Sequence, residues 1–543
     1  VKKLGGVVSG EHGIGMTKLQ FLAPEAVDAF LTYKQQIDPN GHFNQNKLLA
    51  GADLQQAYTP SLRLLEQEAL ILEASELGDL NTAIKDCLRC GKCKSVCTTH
   101  VPRANLLYSP RNKILATGLM IEAFLYEEQT RRGISLRHFE EMNDVADHCT
   151  VCHRCLPPCP VNIDFGEVTV KMRSILKNYG KRNFNLIKWA SLQFLNVTTP
   201  LTIKVMRKGM LQWGYLAQRL AYRVAKQLHL LNQRPKATTG KMAIPAQVIN
   251  FVKKPMPSDL PKQPMRALLG LEDHTIVPIV RDAAKVNQDS EAVFYFPGCG
   301  SERLFSQIGL ATLAMLYELG TETVLSPGYL CCGYPQNANG DTDKGKQIST
   351  ANQVLFHRVA NTLNYMDIKT VIVSCGTCMD QLLHYQFQQI FPGCRLLDIH
   401  EYLMEKGLSL DNGDKYLYHD PCHTPMKTYP PLQVASQLMG KEVLLSDRCC
   451  GEAGTFAIAR PDIATQVRFR KQEELQQGVN SCQPAKILTS CPACLQGLSR
   501  YRDDIGVESD YIVVELARKR LGEKWQGEFL EKVNRGGIER VLL

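Results

Sequence analysis

The chain has 543 residues, room for three or four domains with sizeable cores, and its 44% hydrophobic and 22% charged content is that of a globular protein, not a fibrous or disordered one. No run of 18 apolar residues occurs, which excludes a conventional transmembrane helix, and the opening VKKLGGVVSGEHGIG lacks the apolar core of a signal peptide. Twenty cysteines exclude an ordinary core and point to metal or to oxidised export. Thiolates that must accept iron need a reducing compartment, which places the chain in the cytoplasm. The net charge of +9 is uneven: residues 168–258 hold no Asp or Glu and 17 Lys or Arg, so the remainder is acidic.

Residues 1–52 mix Gly-rich turns with a helical stretch over 24–36. Val stands at position 1, and the first residues read as the middle of a domain. The expectation is a fragment, or the product of an alternative start. Residues 53–180 open with an acidic, helix-forming connector and continue into two cysteine runs. These are Cys87, Cys90, Cys93, Cys97 and Cys149, Cys152, Cys155, Cys159. Both read C-x2-C-x2-C-x3-C, displaced by 62 residues, with helical sequence over 112–130 between them. Three closely spaced thiolates hold three irons of a 4Fe–4S cubane, and the fourth cysteine reaches the other cluster. The spacing predicts crossed ligation: Cys87, Cys90 and Cys93 with Cys159, and Cys149, Cys152 and Cys155 with Cys97. Structural zinc favours paired C-x2-C knuckles and fits four cysteines in one run poorly. Pro160 follows the second run, whereas Thr98 stands in that place after the first. Arg89, Lys92 and Lys94 lie among the first ligands, either as a solvated face or as charge that raises that cluster's potential.

Residues 181–290 are expected to be a basic helical segment followed by a Pro-rich linker. Within it Met206, Met210, Trp213, Leu216, Ala217, Leu220 and Val224 recur at three- and four-residue steps, one apolar face about four turns long. That face suits either a core helix with a basic back or an interfacial helix, peripheral on the inner face of the cytoplasmic membrane.

From residue 291 short apolar strands alternate with helical stretches, which argues for parallel α/β units. A second repeat divides this region at 291–410 and 411–543. The first copy supplies Cys299, Cys331, Cys332, Cys375 and Cys378; the second supplies Cys422, Cys449, Cys450, Cys491 and Cys494. Five thiols exceed the four that tetrahedral zinc uses, and adjacent cysteines hold two irons more readily than one ion. The cysteines sit where strands end and helices begin, where backbone N–H groups favour a negatively charged cluster. Cys394 and Cys482 remain as core thiols. The fold class is therefore multidomain, α+β and α/β.

The motifs PGC…CCG…CGTC and DPCH…CCGEAGTF…CPAC resemble the cysteine-rich CCG domains of the heterodisulfide reductase B subunit, and of the iron–sulfur subunits of glycolate oxidase and lactate-utilisation complexes. The paired runs resemble the two-cluster ferredoxin domain that precedes them there. Ser9-Gly10-Glu11-His12-Gly13-Ile14-Gly15, with Asp38-Pro39-Asn40-Gly41 and Asn44 to Lys47, resembles the end of the cap domain of FAD-linked 2-hydroxy acid oxidases. The resemblance implies the C-terminal part of a bacterial oxidase/iron–sulfur fusion of D-lactate dehydrogenase or glycolate oxidase type. It implies one or two further 4Fe–4S clusters, of non-cubane form, in the CCG copies. It implies a metal-ligand role for Glu11 and a place beside flavin and substrate for His12, with both as catalytic residues. Asn44-Gln45-Asn46-Lys47 departs from the family's Asn-Pro-Gly-Lys, and FAD itself would sit in an upstream domain or a partner subunit.

The reading that follows is an electron-transfer module. A flavin domain oxidises a 2-hydroxy acid such as D-lactate or glycolate, and electrons pass through the clusters to a quinone or another acceptor. A heterodisulfide-type thiol–disulfide oxidoreductase is the alternative. A zinc-stabilised or nucleic-acid-binding scaffold is the third reading; the four cysteine motifs oppose it, and no nucleic-acid partner is expected.

Overall fold

The computed structural model describes residues 22–43, 75–101, 107, 109–129, 136–231, 243–287, 290–411 and 413–543. Its C-terminal half is built on two sheets. β1 (Ile276–Val280), β2 (Ala292–Phe296), β3 (Glu322–Leu325), β4 (Ile368–Val373) and β5 (Arg395–Asp398) join the C-terminal strand β10 (Ile538–Leu542) in the order β10-β1-β3-β2-β4-β5. β6 (Tyr416–His419), β7 (Leu444–Ser446), β8 (Lys486–Thr489) and β9 (Glu508–Tyr511) form the second sheet, β7-β6-β8-β9. β3-β2-β4-β5 are parallel and so is the whole second sheet, in matching order. The sequence repeat is thus a repeat of topology, with β2 answering to β6, β3 to β7 and β4 to β8. Each of β2 and β6 is buried along its whole length, as an unbroken apolar run in a doubly covered sheet requires.

The copies share a core. The helices Ser306–Glu318 and Ile512–Leu521 pack against each other between the sheets, burying Ile308, Leu313, Ile512 and Leu516. Two expected boundaries need correction. The segment 181–290 does not end as a linker, because β1 lies inside it and belongs to the first sheet. Nor is 411–543 self-contained, because β10 crosses back to pair antiparallel with β1. Pro278 hides β1 in the sequence, since proline cannot donate to a ladder. Here β1 pairs with β3 only through Ile279 and Val280, so that ladder begins beyond the proline.

The paired cysteine runs sit on a helical domain. The helices Pro110–Gln129, Leu136–Asp147 and Phe165–Asn178 enclose Ile121, Met142, Val145, Met172 and Leu176. The first of these is the helix expected over 112–130. Asp164 caps the last, accepting from Gly166 N–H at 2.7 Å.

The basic segment folds as the helices Leu186–Asn196, Pro200–Arg207, Tyr215–Gln227 and Ile244–Val252, with a π-helical stretch over Lys208–Gly214. Its orientation separates the buried from the exposed residues of that apolar face. The face turned inward carries Ile203, Arg207, Leu211, Gln218, Tyr222 and Ala225. Met206 and Met210 are half-buried, and Trp213, Leu216, Leu220 and Val224 face solvent at 49–65% exposure. The core-helix reading does not hold for them. No helix among the described residues is long and apolar enough to cross a membrane.

Candidate functional site

The two cysteine runs follow one backbone path. Arg89 and Gly91 in the first, and Val151 and His153 in the second, all have positive φ, between 52° and 79°. They stand two and four residues after the first cysteine of each run. Such turns aim successive sulfurs inward, and three of the four residues are non-glycine, a strain that persists only where the surroundings hold it. The Val151 N–H donates to Cys149 Sγ at 3.4 Å.

The fourth cysteines exchange partners. Cys159 lies with Cys87, Cys90 and Cys93, and with Cys155 of its own run, around one small pocket. Cys97 lies beside Cys149 and Cys152. Thr98, where a proline was the expected residue, has contacts of its own: its Oγ1 meets Thr150 Oγ1 at 2.7 Å and Cys152 Sγ at 3.5 Å.

In the repeated domains the CCG glycine has a defined task. Gly333 and Gly451 have φ of 91° and 80°. This left-handed step returns the glycine N–H to the first cysteine of the pair, and Gly451 N–H donates to Cys449 Sγ at 3.4 Å. A Cβ on Gly451 would meet Arg468 Cγ at 2.5 Å. Cys375 and Cys491 stand at the N-caps of the helices Gly376–Leu382 and Pro492–Ser499, as expected from strand-to-helix turns.

The sulfurs of both copies join into one row, which spacing alone did not reveal. Cys331 faces Cys299 and Cys332, Cys332 faces Cys378, and Cys375 faces both Cys378 and Cys491. Cys494 faces Cys491 and, at 3.7 Å, Cys450. Cys449 faces Cys450 and Cys422, and Cys422 faces Cys152 of the second run. The row runs from the first copy through the second to the paired runs. These contacts set the thiol acidities: hydrogen bonding from Cys422 holds Cys152 well below the usual thiol range, and burial pushes Cys97 and Cys155 up. Cys394 and Cys482 are buried outside the row, in the first copy's apolar core and at the end of the helix Pro461–Cys482.

A cation accompanies each part of the row, and sequence reasoning found only one of them. Arg89 lies near Cys87. Buried Lys113 lies beside Cys97 and donates to Thr99 Oγ1 at 3.0 Å. Arg154 faces Cys422, Arg303 faces Cys299 and Cys331, and Lys471 faces Cys449 and Cys450. Lys113, Arg154 and Lys471 escape detection because they are distant in sequence from the cysteines they face, whereas Arg303 stands four residues after Cys299. Positive charge beside the thiols suits an anionic cluster, although Arg154 and Lys471 also pair with Asp447 and Glu474.

The helical domain is clamped where the row passes into the copies. The Val151 carbonyl accepts from Tyr334 Oη of the first copy at 3.1 Å and from His423 Nε2 of the second at 2.8 Å. Arg154 pairs with Asp447 at 2.9 Å. Cysteines of both copies and of the second run open onto one cavity of about 640 Å³, whose other wall is apolar: Ile187, Phe194, Met210, Leu211, Tyr215 and Phe251.

The donor sets fit iron: four or five free thiols gather in each, with backbone N–H donors and a nearby cation. Glu11 and His12 lie outside the described residues. Of the oxidase-like motif, Asp38 is described: its carboxylate accepts from the His42 and Phe43 N–H groups at 2.8 and 2.7 Å.

Comparison with known proteins agrees with this geometry. A 4Fe-4S dicluster domain model matches residues 83–163, and a cysteine-rich domain model matches 293–383 and 416–499. The chain is an iron–sulfur electron-transfer module of an oxidoreductase. A model of the C-terminal domain of FAD linked oxidases matches residues 1–48, and a domain of unknown function matches 499–543. The module is 24% identical to a probable glycolate oxidase iron-sulfur subunit of Bacillus subtilis over 80% of this chain and 92% of that one. It is 24% identical to the glycolate oxidase iron-sulfur subunit of Escherichia coli over 79% of this chain and 92% of that one. Lactate utilization protein A of Exiguobacterium is 24% identical over 34% of this chain and 81% of its own length. These relatives are, by name, iron–sulfur subunits of glycolate oxidases and a lactate utilization protein.

Proposed function

We propose that this module carries electrons from an FAD-linked partner that oxidises a 2-hydroxy acid of the D-lactate or glycolate type to a quinone. The observation that carries the reading is the row of facing sulfurs. Cys87, Cys90, Cys93 and Cys159 hold one 4Fe–4S cluster, and Cys149, Cys152, Cys155 and Cys97 the next. The second and then the first CCG copy hold one further cluster each, five thiols apiece. Bound clusters supply one-electron transfer, and the chain's own residues do the rest. Val151, Tyr334 and His423 fix the junction between the second run and the copies, while Lys113, Arg154, Arg303 and Lys471 offset thiolate charge. The apolar wall of Ile187, Phe194 and Leu211 offers an organic ring a water-poor seat beside the sulfurs, in the part of the cavity the clusters do not fill.

A disulfide acceptor is the second reading, because cysteines of both CCG copies open onto that same cavity. Dithionite-reduced protein mixed anaerobically with a short-chain quinone, or with a small disulfide, separates the two. Rapid return of the iron–sulfur absorbance that dithionite had bleached, with quinone and not with disulfide, supports the first. The reverse result supports the second.

The basic helices carry the acceptor reading to a surface. Trp213, Leu216, Leu220 and Val224 are exposed beside Lys208, Arg223 and Lys226, in a stretch without a single carboxylate. That is the composition of a face that rests on anionic lipid, where each basic residue contributes about 1 kcal/mol. The proposal places the module on the inner face of the cytoplasmic membrane, with FAD on the partner.

A further inference from the structure

The two CCG copies are matched cysteine for cysteine, but they differ three residues before their first cysteine. The last residue of β2 is Phe296, and the last residue of β6 is His419. Both are fully buried. His419 Nδ1 lies 3.1 Å from the Ser446 carbonyl oxygen and 3.2 Å from Lys471 Nζ. Lys471 Nζ also donates to Ser446, which fixes that carbonyl in place. The other ring nitrogen, Nε2, is buried without a hydrogen-bond partner. With the ring hydrogen on Nδ1 and donated to the Ser446 carbonyl, Nε2 presents a lone pair towards the sulfurs. The His419 ring nitrogen and the Cys450 and Cys494 sulfurs lie within 4.8 Å of one another.

These three atoms have the arrangement of ligands on one metal ion. With metal–sulfur bonds of ~2.3 Å, two thiolates on a tetrahedral centre stand about 3.7–3.8 Å apart. Cys450 and Cys494 stand 3.7 Å apart. A histidine that ligates through one nitrogen characteristically donates the other N–H to a carbonyl or carboxylate, which sets the tautomer. The Ser446 carbonyl fills that place.

We propose that His419 Nε2 is a ligand to the iron that Cys450 and Cys494 hold, so that the second copy binds its cluster with five thiolates and one imidazole. The inference rests on the iron–sulfur reading above. The two copies then carry equal numbers of thiolates, and their clusters differ by one neutral donor, which the first copy lacks because Phe296 offers no ligand.

The test uses full-length protein purified anaerobically, labelled with 15N at histidine only, and reduced with dithionite. Electron–nuclear double resonance should show a strong 15N coupling on a reduced cluster. His419→Phe installs the residue that the first copy carries at the same strand position. It should abolish that coupling, shift the potential of one cluster and leave the others unchanged. Iron and sulfide analysis separates the two levels of the argument. A full complement of iron and sulfide without any histidine coupling overturns the ligand role of His419 and leaves the iron–sulfur reading standing. Coupling that persists in His419→Phe also overturns it. A second copy without iron overturns both.

Discussion

At the scale of single residues, the CCG glycines and the crossed cysteines carry the sharpest expectations. Gly451→Ala puts a side chain at φ of 80° and drives its Cβ into Arg468, which pairs with buried Glu452 at 2.7 Å. Gly454 has φ of 60° but open space around it. Gly454→Ala should cost about 1–2 kcal/mol from backbone strain alone, whereas Gly451→Ala should cost more and release iron from the second copy. Thermal melts with iron analysis compare the two. For the paired runs, Cys97→Ser should damage the cluster of Cys149, Cys152 and Cys155, and Cys159→Ser that of Cys87, Cys90 and Cys93. Low-temperature electron paramagnetic resonance of each variant reads this out; loss of the variant's own run instead would contradict crossed ligation.

A buried ion pair in the helical domain gives a pH signature. Burial alone would push Asp147 up, but the Arg182 guanidinium overcomes it and holds the carboxyl at about 2. Because the folded value lies below the unfolded one, the stability from this pair is complete above about pH 4 and is lost only as pH falls towards 2. Arg182→Met leaves burial dominant, so the folded value rises above the unfolded one. Stability of the variant should then fall as pH rises from 5 to 8, while this site contributes no such slope in the unaltered protein. The loss near neutrality should be about 3–5 kcal/mol. Melting temperatures of both proteins at pH 5 and 8 check the sign.

Among the elements, the basic helices show where a sequence pattern runs out. The period of Met206 to Val224 is visible in the sequence, but which way the face points is not. Arg207 decides it: despite its charge it is buried, donating to the Arg303 and Pro261 carbonyls and tying the helix down by what looks like its polar side. The π-helical stretch at Lys208–Gly214 then shifts the register of the following helix. If the exposed face rests on lipid, the protein should co-sediment with anionic vesicles and not with zwitterionic ones, less so as salt rises. Replacing Lys208, Arg223 and Lys226 with Gln should abolish this with iron content unchanged. Arg207 is unsuitable for that experiment because it holds the fold. Equal binding to neutral vesicles, or none at low salt, would contradict a lipid-facing role.

The strands divide in the same way. β2, β3, β4, β6, β7 and β8 were legible because each is an apolar run leading to a turn or a cysteine. β1 was hidden by Pro278. β10, IERVL, carries two charges in five residues, and only its pairing with β1 makes it a strand.

For the whole molecule, spacing made the ligand sets readable because metal geometry confines ligands to short loops. It left unreadable the order of the sets and the cations around them, which depend on how the copies pack. Cys375 meets Cys491, and Cys422 meets Cys152, only because the two sheets share one core and Val151 is clamped between Tyr334 and His423. That packing turns four separate sets into one path. The measurement that tests this most directly is iron, sulfide and zinc content of the anaerobically purified full-length chain, with Mössbauer spectra of 57Fe-loaded protein. Four occupied sets predict about sixteen irons with matching sulfide, four per cluster, and no zinc. Stoichiometric zinc without sulfide, or iron confined to the paired runs, would contradict a continuous iron–sulfur path through both copies.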